Sequence, residues 1–353
     1  MGGAETYCRK LVEYFQSQDC SGLRIFLFVG RGHEFVLTND AFEIVQLPVD
    51  PAKHMARIIF EQTVIPTVLE SYNLDLVHFP YCTCPYLWGG KSVVTIHDSQ
   101  RISLPQMLPH IEYHYRSVIE QSVAERGMHV IAVSNWDGNI LRNDMQLPRA
   151  NMSVIYYGID EKFFDCAVNG QKKYLLWVGR PYPRKDVEVI IRAMGRLRKQ
   201  GRAVLPFRVI GATPSYHERF KPVIEKAGVE DLVTLESYVP HEQLPTLYRD
   251  AAVFCYPSHY ESFGIPVLEA MAAGVPVVSS DIPAFAEIAG GCALQCPIGD
   301  DTAYADAIAR LLDDGALRQS QAERGRAWAQ QFTWDRCASQ TLSLYRSLAP
   351  SSI

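Results

Sequence analysis

The sequence predicts an α/β protein built as two doubly wound domains, each a parallel sheet with helices on both faces. Three observations carry this. The chain has 353 residues, which suits two domains of roughly 150 residues or more rather than one ordinary core. Short Val/Ile/Leu runs alternate with longer amphipathic stretches, the pattern of strands covered on both sides. The alternation breaks once, at a polar stretch over 158–173, and then restarts. The expected division is 1–160, 161–333 and a final helical segment, 334–353.

In the first domain, strands are expected over 23–29, 42–47, 76–79, 93–96, 130–133 and 153–157. Helical stretches over 51–72 and 110–126 lie between them. After the break, strands are expected over 174–178, 207–210, 233–235, 253–256 and 277–279. Helices fall over 186–199, 215–227, 241–250, 266–273, 301–313 and 316–330, and the last stretch, 334–348, is helical. Ligands of such sheets lie at the carboxyl ends of the strands. Two facing domains would put the site in the cleft between them.

Composition narrows the class. Hydrophobic residues make up 48% and charged residues 21%, the balance of a globular chain. No window reaches the roughly 18 unbroken apolar residues of a membrane span. The start lacks the basic region and apolar core of a secretion signal, so a cytoplasmic location is expected. Nine cysteines are an odd count. The close pairs, Cys82/Cys84 and Cys292/Cys296, lack the Cys-x-x-Cys spacing of a structural zinc site, which leaves buried free thiols. The net charge of −5 is uneven: 1–160 carries 12 Lys/Arg against 17 Asp/Glu, and the remainder carries 22 of each. An acidic first half argues against nucleic acid and against more than peripheral contact with a membrane. The second half is where basic residues can meet phosphates.

The most informative segment is Ser258-His-Tyr-Glu-Ser-Phe-Gly-Ile-Pro-Val-Leu-Glu-Ala-Met-Ala-Ala-Gly-Val-Pro-Val-Val. It follows a strand end, and Pro266 suits the first turn of a helix, where a missing N–H costs nothing. Backbone amides from Phe263 onward form a helix N-terminus, which favours an anion such as a diphosphate. Glu261 and Glu269 bracket that helix start, and a carboxylate there can accept two hydrogen bonds from a ribose diol. Taken singly, each glutamate reads as a solvated or capping residue. A second segment, Trp177-Val-Gly-Arg-Pro-Tyr-Pro-Arg-Lys-Asp, sets Arg180 and Lys185 after a strand end. A diphosphate leaving group gains negative charge, and without a metal fixed cations must absorb it. Arg184 is not assigned; with Lys185 it also reads as an ordinary helix start. A third segment, Val93-Val-Thr-Ile-His-Asp, leaves His97 at a strand end, where a lone histidine is more often structural. A fourth, Met1-Gly-Gly-Ala-Glu-Thr, puts Gly2 and Gly3 before an amphipathic helix, where bare backbone can approach a phosphate.

Together these segments resemble the family 4 retaining glycosyltransferases of GT-B fold, with their E-x7-E signature running from Glu261 to Glu269. The resemblance extends from Gly2 to about Leu348. It implies that Glu269 holds the nucleotide ribose and that Glu261 sits by the transferred sugar with the amides of Phe263, Gly264 and Ile265. It implies that Arg180 and Lys185 clamp the diphosphate and that His97 contacts the sugar. Backbone near Val239 would read the base, Gly2 and Gly3 would form the loop after the first strand, and the last helix would cross back to the first domain.

The expected reaction is therefore retaining transfer of a hexose from a nucleotide diphosphate sugar to a hydroxyl of a glycan or lipid-linked acceptor. With no evident covalent nucleophile, front-face attack is expected, the departing phosphate acting as base. No Asp-x-Asp stands in a metal position, so no metal or other cofactor is expected. GDP-mannose is the first-choice donor, because Thr-Ile-His-Asp resembles bacterial polysaccharide mannosyltransferases. A nicotinamide enzyme is disfavoured, since Gly30-Arg-Gly32 lacks the third glycine of that fingerprint. A nucleotide-sugar epimerase or hydrolase, and a non-catalytic nucleotide-binding protein, are the rival readings. The family's first strand lies in mid-sheet and ends at the Gly-Gly loop. This sequence starts at the loop, so that strand is expected to be missing, with about 10–15 residues ahead of Met1.

Overall fold

The computed structural model describes residues 3–32, 35–50, 54–165 and 172–349. The chain divides into two compact units, Met1–Gly158 together with Trp334–Ile353, and Ile159–Thr333. Both are mixed α/β units with parallel sheets. Every cysteine among the described residues is a free thiol.

The first unit carries β1 (Ile25–Gly30), β2 (Phe42–Leu47), β3 (Val77–Phe79), β4 (Ser92–Ile96), β5 (His129–Ala132) and β6 (Met152–Val154). They form two sheets. Among the described residues β1 pairs with β2 alone, Ile25 opposite Phe42. β3, β4, β5 and β6 form a separate sheet in that order. Among the described residues, no strand joins the free edge of β1 to that of β3. Burial follows position: β4 and β5, paired on both sides, are buried throughout, whereas β1 is half-buried along its length. A core of Leu69, Val94, Ile119, Val130 and Leu141 packs beneath the four-stranded sheet. The helices Gly3–Phe15 and Trp334–Leu348 are neighbours, with the Phe15 and Tyr345 rings edge to face at 5.8 Å.

The second unit carries β7 (Tyr174–Val178), β8 (Phe207–Ile210), β9 (Val233–Glu236), β10 (Ala251–Tyr256), β11 (Val277–Ser280) and β12 (Leu294–Cys296) in one parallel sheet, ordered β12-β11-β10-β7-β8-β9. The apolar runs of β7 and β10 are buried at every position, as central strands require. The chain builds outward from β7 to β9, then returns to β10 on the other side of β7. The strand order therefore reverses between β7 and β10, and the crevice at such a reversal is where ligands of open α/β sheets bind.

Several expectations are corrected. The helix expected over 51–72 is two helices, His54–Thr63 and Ile65–Glu70. Pro66 is the cause: its ring fits only a first turn, so a new helix starts there. The stretch over 241–250 opens as a 3-10 turn, His241–Gln243, before the helix Leu244–Asp250, again with proline in its first turn. The helices Asn135–Asp144 and Pro283–Ala289 and strand β12 are additions. Gly3 opens the first helix, while Gly2 lies outside the described residues.

Candidate active site

The loops leaving β7 and β10 meet at the reversal point. After β7 the chain passes Gly179, and Gly179 N–H donates to Ile210 O at 3.0 Å. The end of β8 presses on this loop so closely that a Cβ on Gly211 would lie 2.0 Å from Gly179 O. A 3-10 turn, Pro183–Lys185, then delivers Lys185. It ends at Asp186, held at φ 38°, a left-handed conformation that strains a residue with a Cβ. Asp186 Oδ2 lies 3.2 Å from His259 Nε2, and His259 N–H donates to Arg184 O at 2.8 Å, so the two loops are tied together.

Lys185 and Glu261 form the centre. The Lys185 ammonium bonds the Glu261 carboxylate and donates to Tyr256 Oη at 2.7 Å. Arg184 Nη1 lies 3.5 Å from the same Glu261 oxygen and donates to Tyr260 O at 3.1 Å. Ser258 Oγ lies 3.0 Å from that oxygen. Lys185 and Glu261 are each 8% exposed. Burial pushes the Lys185 ammonium down to about 8, opposed by the attraction of Glu261. Two cations thus face one carboxylate at the strand ends, which leaves a local surplus of positive charge. A buried surplus of this kind is costly alone and favourable once an anionic ligand arrives.

Glu269 stands in the helix Ile265–Ala272, which starts at Gly264. Gly264 has φ +103°, and a Cβ there would lie 2.8 Å from Phe285 Cε1, so only glycine fits this turn. Glu269 is 7% exposed. Tyr248 Oη donates to Glu269 Oε2 at 3.0 Å, and His241 Nε2 stands 3.6 Å from Oε1. The Phe263 side chain is buried edge-on to Phe332, so whatever Phe263 offers a ligand comes from its backbone. Ile265 is the first residue of the helix. Val239 is half-buried in the loop between β9 and His241. Arg180 is exposed at the carboxyl end of β7, its Nη1 3.5 Å from Tyr182 Oη.

His97 lies in the other unit, just past β4, and is buried. Its Nε2 meets Pro80 O at 2.7 Å and its Nδ1 meets Tyr157 Oη at 2.5 Å. A carbonyl only accepts, so Nε2 carries the proton and Nδ1 accepts from tyrosine. Burial lowers the imidazole below its ordinary range, and the ring is neutral. Both nitrogens are therefore engaged within the protein. Asp98 Oδ1 accepts from Gln100 N–H and pairs with Arg116 Nη1, each at 3.0 Å.

The sequence reading weighed Arg184 and left it unassigned, and gave no role to Tyr256, Ser258, Tyr248 or His241. Ser258 and Tyr256 could have been found from their place at the end of β10, three and five residues before Glu261. Tyr248 and His241 left no spacing signal.

A chain of two α/β units with parallel sheets has the architecture of the GT-B glycosyltransferases. The comparisons agree. The family described as "Glycosyl transferases group 1" matches residues 158–328, and "Glycosyltransferase Family 4" matches 1–163. The chain belongs to glycosyltransferase family 4 and is a glycosyltransferase. It is 28% identical over 291 residues to O-antigen chain mannosyltransferase B of Escherichia coli, covering 79% of this chain and 76% of that one. Its fold matches sucrose-phosphate synthase from Thermosynechococcus elongatus with a TM-score of 0.77 at 23% identity, covering 98% and 94% of the two chains. It also matches HepE of Anabaena in complex with UDP, with a TM-score of 0.74 at 17% identity, covering 98% and 96%. No helix among the described residues is long and apolar enough to cross a membrane.

Proposed function

We propose that this glycosyltransferase moves a hexose, mannose from GDP-mannose in the first instance, to a hydroxyl of a glycan or lipid-linked glycan, with retention of the anomeric configuration. The observation that carries the reading is the cluster of Lys185, Arg184 and Glu261 at the strand-order reversal. Cations fixed at strand ends stabilise the charge that a departing nucleoside diphosphate gains as the glycosidic bond breaks. Arg180, on the same strand end, completes the clamp. The amides of Phe263, Gly264 and Ile265 face the same anion from the helix start, and Glu269 takes the ribose. The path proposed is front-face, in which the leaving phosphate accepts the proton of the attacking hydroxyl. His97 would meet the sugar by exchanging its bond to Pro80 O for one to a hydroxyl. The E. coli relative's name supports mannose, while the UDP in the Anabaena protein keeps uridine donors in the test.

The experiment offers GDP-mannose, UDP-glucose and their congeners with and without a glycan acceptor, and follows nucleoside diphosphate release and the product's anomeric signal by NMR. An α-linked product from an α-linked donor is expected, at a rate unchanged by EDTA. An inverted product would overturn retention. Loss of activity in EDTA, restored by magnesium or manganese, would overturn the metal-free clamp. Sugar release with no transfer would favour a hydrolase.

A further inference from the structure

The surroundings of Glu269 can be counted lone pair by lone pair. A carboxylate accepts about four hydrogen bonds, two on each oxygen. Tyr248 Oη fills one position on Oε2 at 3.0 Å. Tyr248 is fully buried, and burial beside Glu269 keeps its phenol protonated and donating. On the other oxygen the orientation follows from a chain of donors. Lys162 Nζ stands 2.7 Å from His241 Nδ1. An ammonium only donates, so Nδ1 accepts and the neutral ring carries its proton on Nε2. Nε2 stands 3.6 Å from Glu269 Oε1, a contact outside hydrogen-bond range. Asp160 Oδ2 lies 3.5 Å from Lys162 Nζ and holds this chain from behind. Phe163, wholly buried, meets the rings of both His241 and Tyr248 edge to face at 5.6 Å and fixes the angle between them.

We propose that Tyr248 and His241 are positioning residues for the Glu269 carboxylate, Tyr248 bonding one oxygen and His241 standing against the other, so that the carboxylate is turned to meet a vicinal cis-diol and the site is selective for ribonucleotides with both hydroxyls free. The inference rests on Glu269 as the ribose ligand and adds what orients it. A carboxylate free to rotate presents its two remaining acceptors in no fixed plane. A carboxylate bonded at one oxygen and hemmed in by a ring at the other presents them side by side, toward the 2′- and 3′-hydroxyls. Each acts through Glu269, and the dideoxy nucleotides separate that from direct contact with the ligand.

The test is calorimetry of GDP and UDP, and of their 2′-deoxy, 3′-deoxy and 2′,3′-dideoxy forms, on wild type, Glu269→Gln, Tyr248→Phe and His241→Ala. Wild type is expected to prefer the ribonucleotide over either monodeoxy form by about tenfold or more, one hydrogen bond to a charged group. Tyr248→Phe and His241→Ala should each shrink that preference several-fold, on the order of the same bond partly lost. Their affinity for the dideoxy form should stay that of wild type, which a general packing defect would not allow. Equal weakening toward ribo and dideoxy forms would reduce both residues to structural roles and overturn the proposal. Loss of the preference in Glu269→Gln, with full preference kept in the other two, would overturn the positioning roles while leaving Glu269 on the ribose. Full preference in Glu269→Gln would overturn both.

Discussion

A buried lysine that shares one glutamate with an arginine is a residue whose charge depends on pH near neutrality. Lys185 is charged in the free protein below about 8 and neutral above it. A diphosphate needs the charged form, so affinity should be full near pH 7 and fall as pH rises through that value. Between about pH 7 and pH 9.5 the expected loss in GDP affinity is about tenfold, the charged fraction falling by more than that. Lys185→Arg keeps its charge over the whole range and should bind with a flat profile. A wild-type profile that is equally flat would show that Lys185 does not meet the anion. His97 gives a second prediction at this scale. His97→Ala removes the hydrogen bonds to the buried Tyr157 hydroxyl and to Pro80 O, at a cost of roughly 0.5–1.5 kcal/mol for each bond. Urea unfolding should therefore register a lower midpoint in His97→Ala, separately from any loss of turnover.

At the scale of elements, the helix Ile265–Ala272 starts where it does because Gly264 can turn at φ +103° against the Phe285 ring. Gly264→Ala adds a Cβ 2.8 Å from that ring and forces a left-handed alanine, which costs about 1–2 kcal/mol before any clash is counted. The expected outcome is a lower melting temperature together with weakened nucleotide binding, because the same turn aims the helix start and Glu269. An unchanged affinity in a folded Gly264→Ala protein would detach the helix start from the ligand. Element order was largely legible in the sequence for a physical reason. β7 and β8 span the residues their apolar runs suggest, since a strand covered on both faces is apolar along nearly its whole length. β12 is three residues with a glutamine, and the helix Asn135–Asp144 buries only Asp137, Gly138 and Leu141, so neither carries a pattern to read. The site divides in the same way. Glu261, Glu269 and Lys185 stand in contiguous segments with recognisable spacing. The contacts that complete them, Lys185 with Tyr256 and Arg184 with Tyr260, join residues 71 and 76 positions apart, a distance no local pattern spans.

The single six-stranded sheet of the second unit contrasts with the separate two- and four-stranded sheets of the first, and the contrast extends to how firmly each backbone is held. In β7 both edges are bonded, to β8 and β10. In β1 the alternation of a strand sends every second N–H one way. Ile25 N–H donates to Ala41 O and Arg31 N–H to Val49 O, so the amides of 25, 27, 29 and 31 face β2. Those of Phe26, Phe28 and Gly30 face the other edge. Likewise Val77 N–H donates to Lys91 O, which turns the amide of His78 away from β4. Hydrogen exchange reads this directly, because an amide without a partner is protected only by what covers it. Leu27 and Val29 should exchange slowly and Phe28 quickly, an odd–even ripple along β1, while β7 should be uniformly slow. Added as an extended peptide of alternating apolar residues, a further strand that slotted against β1 and β3 should erase the ripple and slow Phe26, Phe28 and His78 together. The same edges are a place where a second unfolded chain can attach, so the ripple's depth should track the tendency of the protein to aggregate at high concentration.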